Sequence, residues 1–227
     1  KAEALGIIDD YVYGPIYTPA SLPDEEPAKG GSIFVPSAGG GANWPGAGFD
    51  PETNVLFVPS SNGAFTPFMG TLPEDESNFR YYRLQNRGVV GPRGLPLLKP
   101  PYSTITAIDM NLGEILWQAP NGDGSVRVEN NPAVEGLDLP PLGGGGRHPV
   151  LVTSTLLIHG QNEGYGPILI ARSKETGEEL AKIELPGDPQ SAPMSYAIDG
   201  RQYIALGVNA TPTAELIVLG LPEDSSE

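Results

Sequence analysis

The chain has 227 residues, with 30 Gly, 25 Pro and no Cys, and its 28 acidic and 13 basic side chains give a formal net charge of −15. Such an acidic surface repels phosphate backbones and anionic membrane faces, so nucleic acid is not an expected partner. Without cysteine there is no disulfide, thiolate zinc site or iron–sulfur cluster, and two histidines are too few for a multi-histidine metal site.

Short apolar runs separated by Gly and Pro predict an all-β chain with many turns. A short strand is predicted over residues 32–36, followed by a glycine loop and then the pair Asn43 and Trp44. A turn over residues 50–54 leads into residues 55–60, which are apolar enough to form a strand that is buried on both faces. No stretch keeps the 3.6-residue apolar period of a long helix.

Two long segments separate the later strands. Residues 61–101 mix aromatics, charges and glycines without a regular period, and residues 121–149 are rich in Gly and Pro, so both are predicted to be long loops. Residues 103–120, which lie between them, predict a clear hairpin. Further strands and hairpins are predicted over residues 150–160, 166–186, 191–208 and 214–222.

Three hairpins look like one repeated unit, in which a strand, a turn and a second strand that closes on Pro follow one another. Their turns begin at Asp50, Asp109 and Ser173, which are 59 and 64 residues apart. Repeated four-stranded antiparallel units are typical of a β-propeller, which closes with about four to eight blades. Residues 1–227 are therefore predicted to form part of a propeller, with roughly three to four blades.

Asn43 and Trp44 follow a run of three glycines and precede a rigid strand. An amide and an indole at the lip of a glycine loop suit a flat ligand with polar edges. The alternative is that Trp44 fills the core and Asn43 is a turn residue. The two residues by themselves leave both interpretations open.

The chain contains, in this order, GGGANWPGAGFDPETNVLFVPS, LKPPYSTITAIDMNLGEILWQAPNGD, LDLPPLGGGGRHPVLVTSTLL and KETGEELAKIELPGDPQSAPMSYAIDGRQYIALGV. These long collinear motifs resemble the C-terminal part of the pyrroloquinoline quinone (PQQ) dependent dehydrogenases, nearest to the glucose and quinate branch. The resemblance extends over nearly the whole chain. Residues 220–222 match the end of the family's closing strand, so the C-terminus is expected to be complete.

The resemblance implies an eight-bladed propeller with PQQ and a calcium or related divalent ion at its axis, of which this chain supplies about half. Asn43 matches the family Asn that hydrogen-bonds the cofactor, and Trp44 accompanies it at the cofactor pocket. The family's general base, its basic residue and most of its metal ligands lie upstream of the matched region. Asp9, Asp10 and Lys29 stand in no motif that carries these roles, so no catalytic or metal-binding residue is expected here.

The function implied by the resemblance is oxidation of a sugar or polyol alcohol group, with hydride passing to PQQ and electrons passing to a quinone or cytochrome. An N-terminal propeller half, on the same precursor or a separate chain, would complete the site. The family further implies a periplasmic location, with inner-membrane association through a part outside this chain. The alternative is a non-catalytic propeller segment used for binding or assembly.

Other side chains are assigned packing or surface roles. Trp117 is predicted to dock one blade on the next, and its counterpart in the following repeat is Ala181. His159 is predicted to be structural. Four further residues have a minor functional alternative beside a solvated, packing or turn role: Lys99, Tyr102, Arg147 and His148.

Overall fold

The computed structural model describes residues 1–22, 30–79, 81–86, 89–144, 148–162 and 166–222. The chain divides into two compact units. Unit 1 comprises Lys1–Gly41, Asn62–Pro100 and Val128–Leu137. Unit 2 comprises Ala42–Ser61, Pro101–Arg127 and Asp138–Glu227, and it holds most of the strands. Lys29 and Arg147 lie outside the described residues.

Unit 1 contains helix α1 (Ala2–Ile8) and an antiparallel hairpin of β3 (Pro67–Thr71) and β4 (Tyr81–Asn86). The prediction of an irregular loop over residues 61–101 is wrong where this hairpin forms. A register shift between Gly70 and Thr71 breaks the alternation that a sequence pattern would show. The predicted strand over residues 32–36 is also wrong, because this segment makes only isolated bridges at Ser32 and Phe34 among the described residues.

Sheet 1 of unit 2 is antiparallel and consists, in spatial order, of β1 (Gly48–Asp50), β2 (Val55–Ser61), β5 (Ser103–Asp109) and β6 (Glu114–Pro120). Strands β2 and β5 are both inner strands. Strand β2 alternates buried and half-buried residues, whereas the first five residues of β5 are all buried.

In chain order, β6 is followed by helix α2 (Val126–Glu129) and a 3₁₀ turn (Pro132–Val134). The later strands are β7 (Val150–Val152), β8 (Leu156–Asn162), β9 (Pro167–Ser173), β10 (Glu179–Glu184), β11 (Asp188–Pro189), β12 (Met194–Ile198), β13 (Arg201–Asn209) and β14 (Glu215–Gly220). Sheet 2 has the order β10-β9-β8-β7, also antiparallel, and sheet 3 pairs β13 with β11, β12 and β14.

The predicted turns form as expected, but the repeat is arranged differently. Asp109 Oδ1 accepts from the backbone N–H groups of Asn111 and Leu112, and Asp50 and Ser173 accept in the same way from the turns that they begin. The first two hairpins, however, are two halves of sheet 1, joined by β2–β5 pairing. Treating them as equivalent units is therefore wrong, since pairing between distant segments leaves no local sequence signal.

Two apolar clusters hold unit 2 together. The first joins Val55, Phe57, Ile105 and Ala107 of sheet 1 to Leu157 of sheet 2. The second joins sheet 2 to sheet 3, and its members are Ile158, Leu169, Leu185, Leu206 and Val208. Because alternate residues of β8 enter different clusters, sheet 2 is packed on both faces. Within the described part of the chain, no helix has the length and apolar character needed to cross a membrane.

Candidate functional site

Two ion pairs fix how sheets 1 and 2 face each other. Lys174 Nζ lies 2.7 Å from Asp50 Oδ2, where β1 ends and the β9–β10 turn begins. Lys182 Nζ lies 2.7 Å from Asp123 Oδ2, just after β6 ends. The Asp50–Lys174 pair therefore places the short turns of both sheets at one edge, which we call the turn edge. The segments that lead into β1 and β7 lie at the other edge, which we call the loop edge.

Asn43 and Trp44 lie on the segment that leads into β1, at the loop edge. Both residues are exposed, and 90% of the Trp44 surface is open to solvent. Trp44 therefore does not fill the core, and that alternative is wrong. The apolar surface of an indole this exposed is removed from water only when a ligand or another protein segment covers it.

The local backbone holds the amide of Asn43 in one orientation. Its Oδ1 accepts a hydrogen bond of 2.7 Å from the Trp44 backbone N–H, and its carbonyl oxygen accepts one of 2.9 Å from the Gly46 N–H. Gly46 has a φ of 89°, a conformation that favours glycine. Asn43 is thus a turn residue and also presents its side chain at the surface beside Trp44. The two interpretations of Asn43 are compatible.

Further polar groups gather at the loop edge of sheets 1 and 2. Gln161, near the end of β8, is 2% exposed, and its side chain packs on Gly122, where a Cβ would overlap the Gln161 amide. Among the described residues, no partner hydrogen-bonds Gln161 Oε1. The nearby His148 is half-buried, and burial lowers the pKa of its imidazole while Asp188 opposes that shift. His148 thus lies in a polar environment at the loop edge.

His159 lies deeper between sheets 1 and 2 and is fully buried. Its Nε2 accepts from Arg172 Nε at 3.3 Å, and Arg172 in turn donates to the Gly177 carbonyl and to Glu179. Burial, together with the Arg172 charge, lowers the pKa of His159 to about 3, so the imidazole is neutral. The predicted structural role of His159 agrees with this position in the interior.

The sequence did not single out Gln161 or Arg172. The available signal was the alternation along β8, where Leu157, His159 and Gln161 all point to the same face. Two polar side chains on the buried face of a strand require partners in the interior. That requirement could have indicated the polar cluster, although it does not identify Arg172 as the partner.

The remaining candidates are divided between the two units. Lys99 is exposed in unit 1, and Asp9 and Asp10 are exposed at the end of α1. Tyr102 belongs to unit 2 and is half-buried; its backbone N–H donates to the Leu142 carbonyl, and burial raises the pKa of its hydroxyl.

The described residues differ in their fit to the two groups implied by the sequence. An exposed amide beside an exposed indole provides the donor chemistry and the apolar face that a planar quinone cofactor needs. A divalent ion needs several converging oxygen ligands. No cluster of three His, Asp or Glu side chains suitable for a metal occurs in the described part of the chain.

Comparison with known proteins identifies a matching family. The profile described as PQQ, glucose/ethanol/alcohol dehydrogenase, β-propeller domain, matches residues 1–204. The chain is 28% identical over 200 residues to the quinate/shikimate dehydrogenase (quinone) of Acinetobacter baylyi, covering 77% of this chain and 24% of that protein. It is 29% identical over 231 residues to the glycerol dehydrogenase large subunit of Gluconobacter thailandicus, covering 84% of this chain and 30% of that protein.

A third relative is the quinoprotein glucose dehydrogenase of Escherichia coli, 26% identical over 244 residues, with coverage of 93% of this chain and 28% of that protein. The chain thus spans about a quarter to three tenths of the length of these relatives. Among solved structures, a quinohemoprotein alcohol dehydrogenase from Pseudomonas putida superposes with a TM-score of 0.53. That comparison covers 82% of this chain and 27% of the other at 17% identity, and it supports the β-propeller fold.

Proposed function

The chain belongs to the family of PQQ-dependent dehydrogenase β-propeller domains, and from that premise we propose that it is the C-terminal part of such an enzyme and forms one wall of its cofactor pocket. The observation that carries this proposal is the pairing of an oriented amide, Asn43, with a 90% exposed indole, Trp44, at the loop edge. A monomeric domain has little reason to leave a tryptophan that open.

PQQ, when bound, supplies the acceptor for the hydride that leaves the substrate alcohol carbon. The residues of this chain bind and orient rather than react. Asn43 would hold the cofactor by a hydrogen bond from its amide, and the Trp44 ring would cover apolar surface and exclude water beside it. A base supplied by the part of the enzyme that lies outside these 227 residues would take the hydroxyl proton.

Substrate and electron acceptor follow from the relatives by analogy. Their names specify quinate or shikimate, glycerol and glucose as substrates, and quinone in the first case as acceptor. We infer a sugar or polyol substrate and a quinone or cytochrome acceptor. We also infer a periplasmic location, an N-terminal propeller half that completes the ring, and a divalent ion held by ligands of that half.

Cofactor binding by the purified chain tests the proposal. Equilibrium dialysis with PQQ and Ca²⁺ is expected to give saturable binding, measured on the 227-residue chain and on a longer chain that includes the upstream region. Asn43→Ala is expected to weaken it about tenfold, which corresponds to one hydrogen bond of about 1.4 kcal/mol. Trp44→Ala is expected to weaken it by a similar factor through lost ring contact.

Asn111→Ala is the matched control, because Asn111 is an exposed asparagine in the β5–β6 turn at the opposite edge. It should leave the dissociation constant unchanged. If neither chain binds PQQ, the proposal fails and a non-catalytic segment used for binding or assembly replaces it. If both bind PQQ with the same affinity after Asn43→Ala, the assignment of Asn43 fails.

A further inference from the structure

A cavity of about 620 Å³ lies between sheets 2 and 3. Part of its lining is the β7–β8 turn, residues 153–155, which belongs to the turn edge rather than to the loop edge of Asn43. Among the residues that the structure describes, no charged side chain lines it. Its walls are aliphatic and come from both sheets, namely Ile158, Leu169, Ile183, Ile204 and Leu219.

The strand register shows which position the cavity occupies. In sheet 1, Ala107 pairs with Trp117, and a register shift follows immediately. In sheet 2, Ala171 pairs with Ala181, beside a register shift at the same place. The two outer hairpins are therefore equivalent, residue by residue, and Ala181 stands where sheet 1 has Trp117.

Trp117 fills the corresponding position between sheets 1 and 2. Its ring lies against Gly177, where a Cβ would come within 2.7 Å of two ring atoms, and its centroid is 5.8 Å from that of Phe57. Its Nε1–H donates to the Lys174 carbonyl at 3.2 Å. One indole thus provides both apolar contact and a polar link to the next sheet.

At the equivalent position of sheet 2, Ala181 provides neither contact, and it lines the cavity together with Ala171. The polar groups at the rim are hydroxyls and an amide: Gln202 Nε2 donates to Ser195 Oγ at 2.8 Å, and both residues line the cavity. Apolar walls with a few uncharged polar groups, in a volume of this size, are typical of small-molecule sites.

We propose that this cavity binds an uncharged, planar aromatic compound, which takes the position that the Trp117 ring occupies in the neighbouring interface. The aliphatic walls provide its apolar contact, and Ser195 and Gln202 provide hydrogen-bonding groups at its edge. An uncharged compound is proposed because the described lining holds no countercharge that would offset the desolvation of an ion. The proposal is independent of PQQ binding, so either can fail without the other.

Indole is the probe that tests this site. The expected result is a saturable one-to-one shift of the methyl resonances of Ile158, Ile204 and Leu219 on titration of the methyl-labelled 227-residue chain, while Ile105 in the sheet 1–sheet 2 cluster stays unchanged. Ala181→Trp places a covalent indole at the site. Because that side chain takes the space that free indole would occupy, the affinity for free indole is expected to fall at least about tenfold.

Ala214→Trp is the matched control, since Ala214 is exposed just before β14 and is not among the residues that line the cavity. It should bind indole as the parent chain does. If Ala181→Trp fails to give a folded methyl spectrum, Ala171→Leu replaces it as a partial filling of the same cavity. Absence of a saturable shift in the folded parent chain, or unchanged affinity in a folded cavity-filling variant, overturns the proposal.

Discussion

The interface between sheets 1 and 2 and the interface between sheets 2 and 3 are built on the same strand register but closed in different ways. The first contains the Trp117 ring and the Asp50–Lys174 ion pair in addition to its apolar cluster. The second contains an aliphatic cluster and, at Ala181, a cavity. At the register position that Trp117 fills in the first interface, the second has Ala181 and an open cavity.

The largest expected effect comes from removing the Trp117 ring from the interface between sheets 1 and 2. Trp117→Ala removes the ring from Gly177 and Phe57 and is expected to lower the free energy of unfolding by about 3 kcal/mol. Urea titration monitored by circular dichroism measures the change. Trp44→Ala is the matched control, because Trp44 is 90% exposed and its loss should stay within about 0.5 kcal/mol. Equal losses in the two variants would contradict the docking role of Trp117.

The ion pair at the turn edge is the next largest contribution. The hydrogen bond from Lys174, followed by that from Thr53, lowers the pKa of Asp50 from 3.8 to about 2. Because the folded-state pKa is the lower one, the stabilisation is present above about pH 4 and is lost as the pH falls toward 2. Asp50→Asn is expected to cost about 2 kcal/mol at neutral pH, the typical contribution of a hydrogen bond to a charged group.

Asp109→Asn gives the comparison for Asp50. Asp109 begins the β5–β6 turn and accepts from the backbone N–H groups of Asn111 and Leu112. An asparagine oxygen can accept the same two bonds, so this variant should cost less than about 1 kcal/mol in the same urea titration. If both variants cost the same, the contribution of Asp50 comes from its turn rather than from the contact with Lys174.

Acid should weaken the first interface through His159. Burial and the Arg172 charge lower its pKa to about 3, so below its ordinary value of 6.5 the unfolded chain binds a proton that the folded chain does not. The free energy of unfolding is expected to fall by up to about 1.4 kcal/mol per pH unit as the pH drops from 6.5 toward 4. His159→Gln should flatten this slope, and an unchanged slope would exclude His159 as its source.

The sequence predicted the parts of this comparison that depend on local chemistry. The Asp and Ser turns and the docking role of Trp117, with Ala181 as its counterpart, are confirmed by hydrogen bonds and register. The joining of the first two hairpins into sheet 1 was not predicted, since the β2–β5 pairing connects residues that are 42 (Ser61 and Ser103) to 54 (Val55 and Asp109) positions apart in the chain. Such pairing is decided by packing across the fold, which a period in one strand does not reveal.

The candidate site likewise has features that local sequence predicts and features that depend on contacts between strands. Local sequence was enough to identify the oriented turn at Asn43 and the neighbouring indole as a pair. The buried contact of His159 with Arg172 required the β8–β9 register, and the cavity required two sheets together. The cofactor role of Asn43 and Trp44 remains a prediction, since this chain spans 24% and 30% of the length of two of its relatives.

The smallest expected effect comes from filling the cavity between sheets 2 and 3. Ala181→Trp places an indole against the aliphatic walls of the cavity, at a position whose register already accommodates Trp117 in sheet 1. Filling a cavity without straining the backbone typically stabilises a protein by about 1 kcal/mol. The urea midpoint should rise, whereas Ala214→Trp, which adds the same ring at an exposed position, should leave it unchanged. A stable Ala181→Trp chain that gains nothing would mean that the walls cannot close on a ring, and the two interfaces would then differ in shape as well as in one side chain.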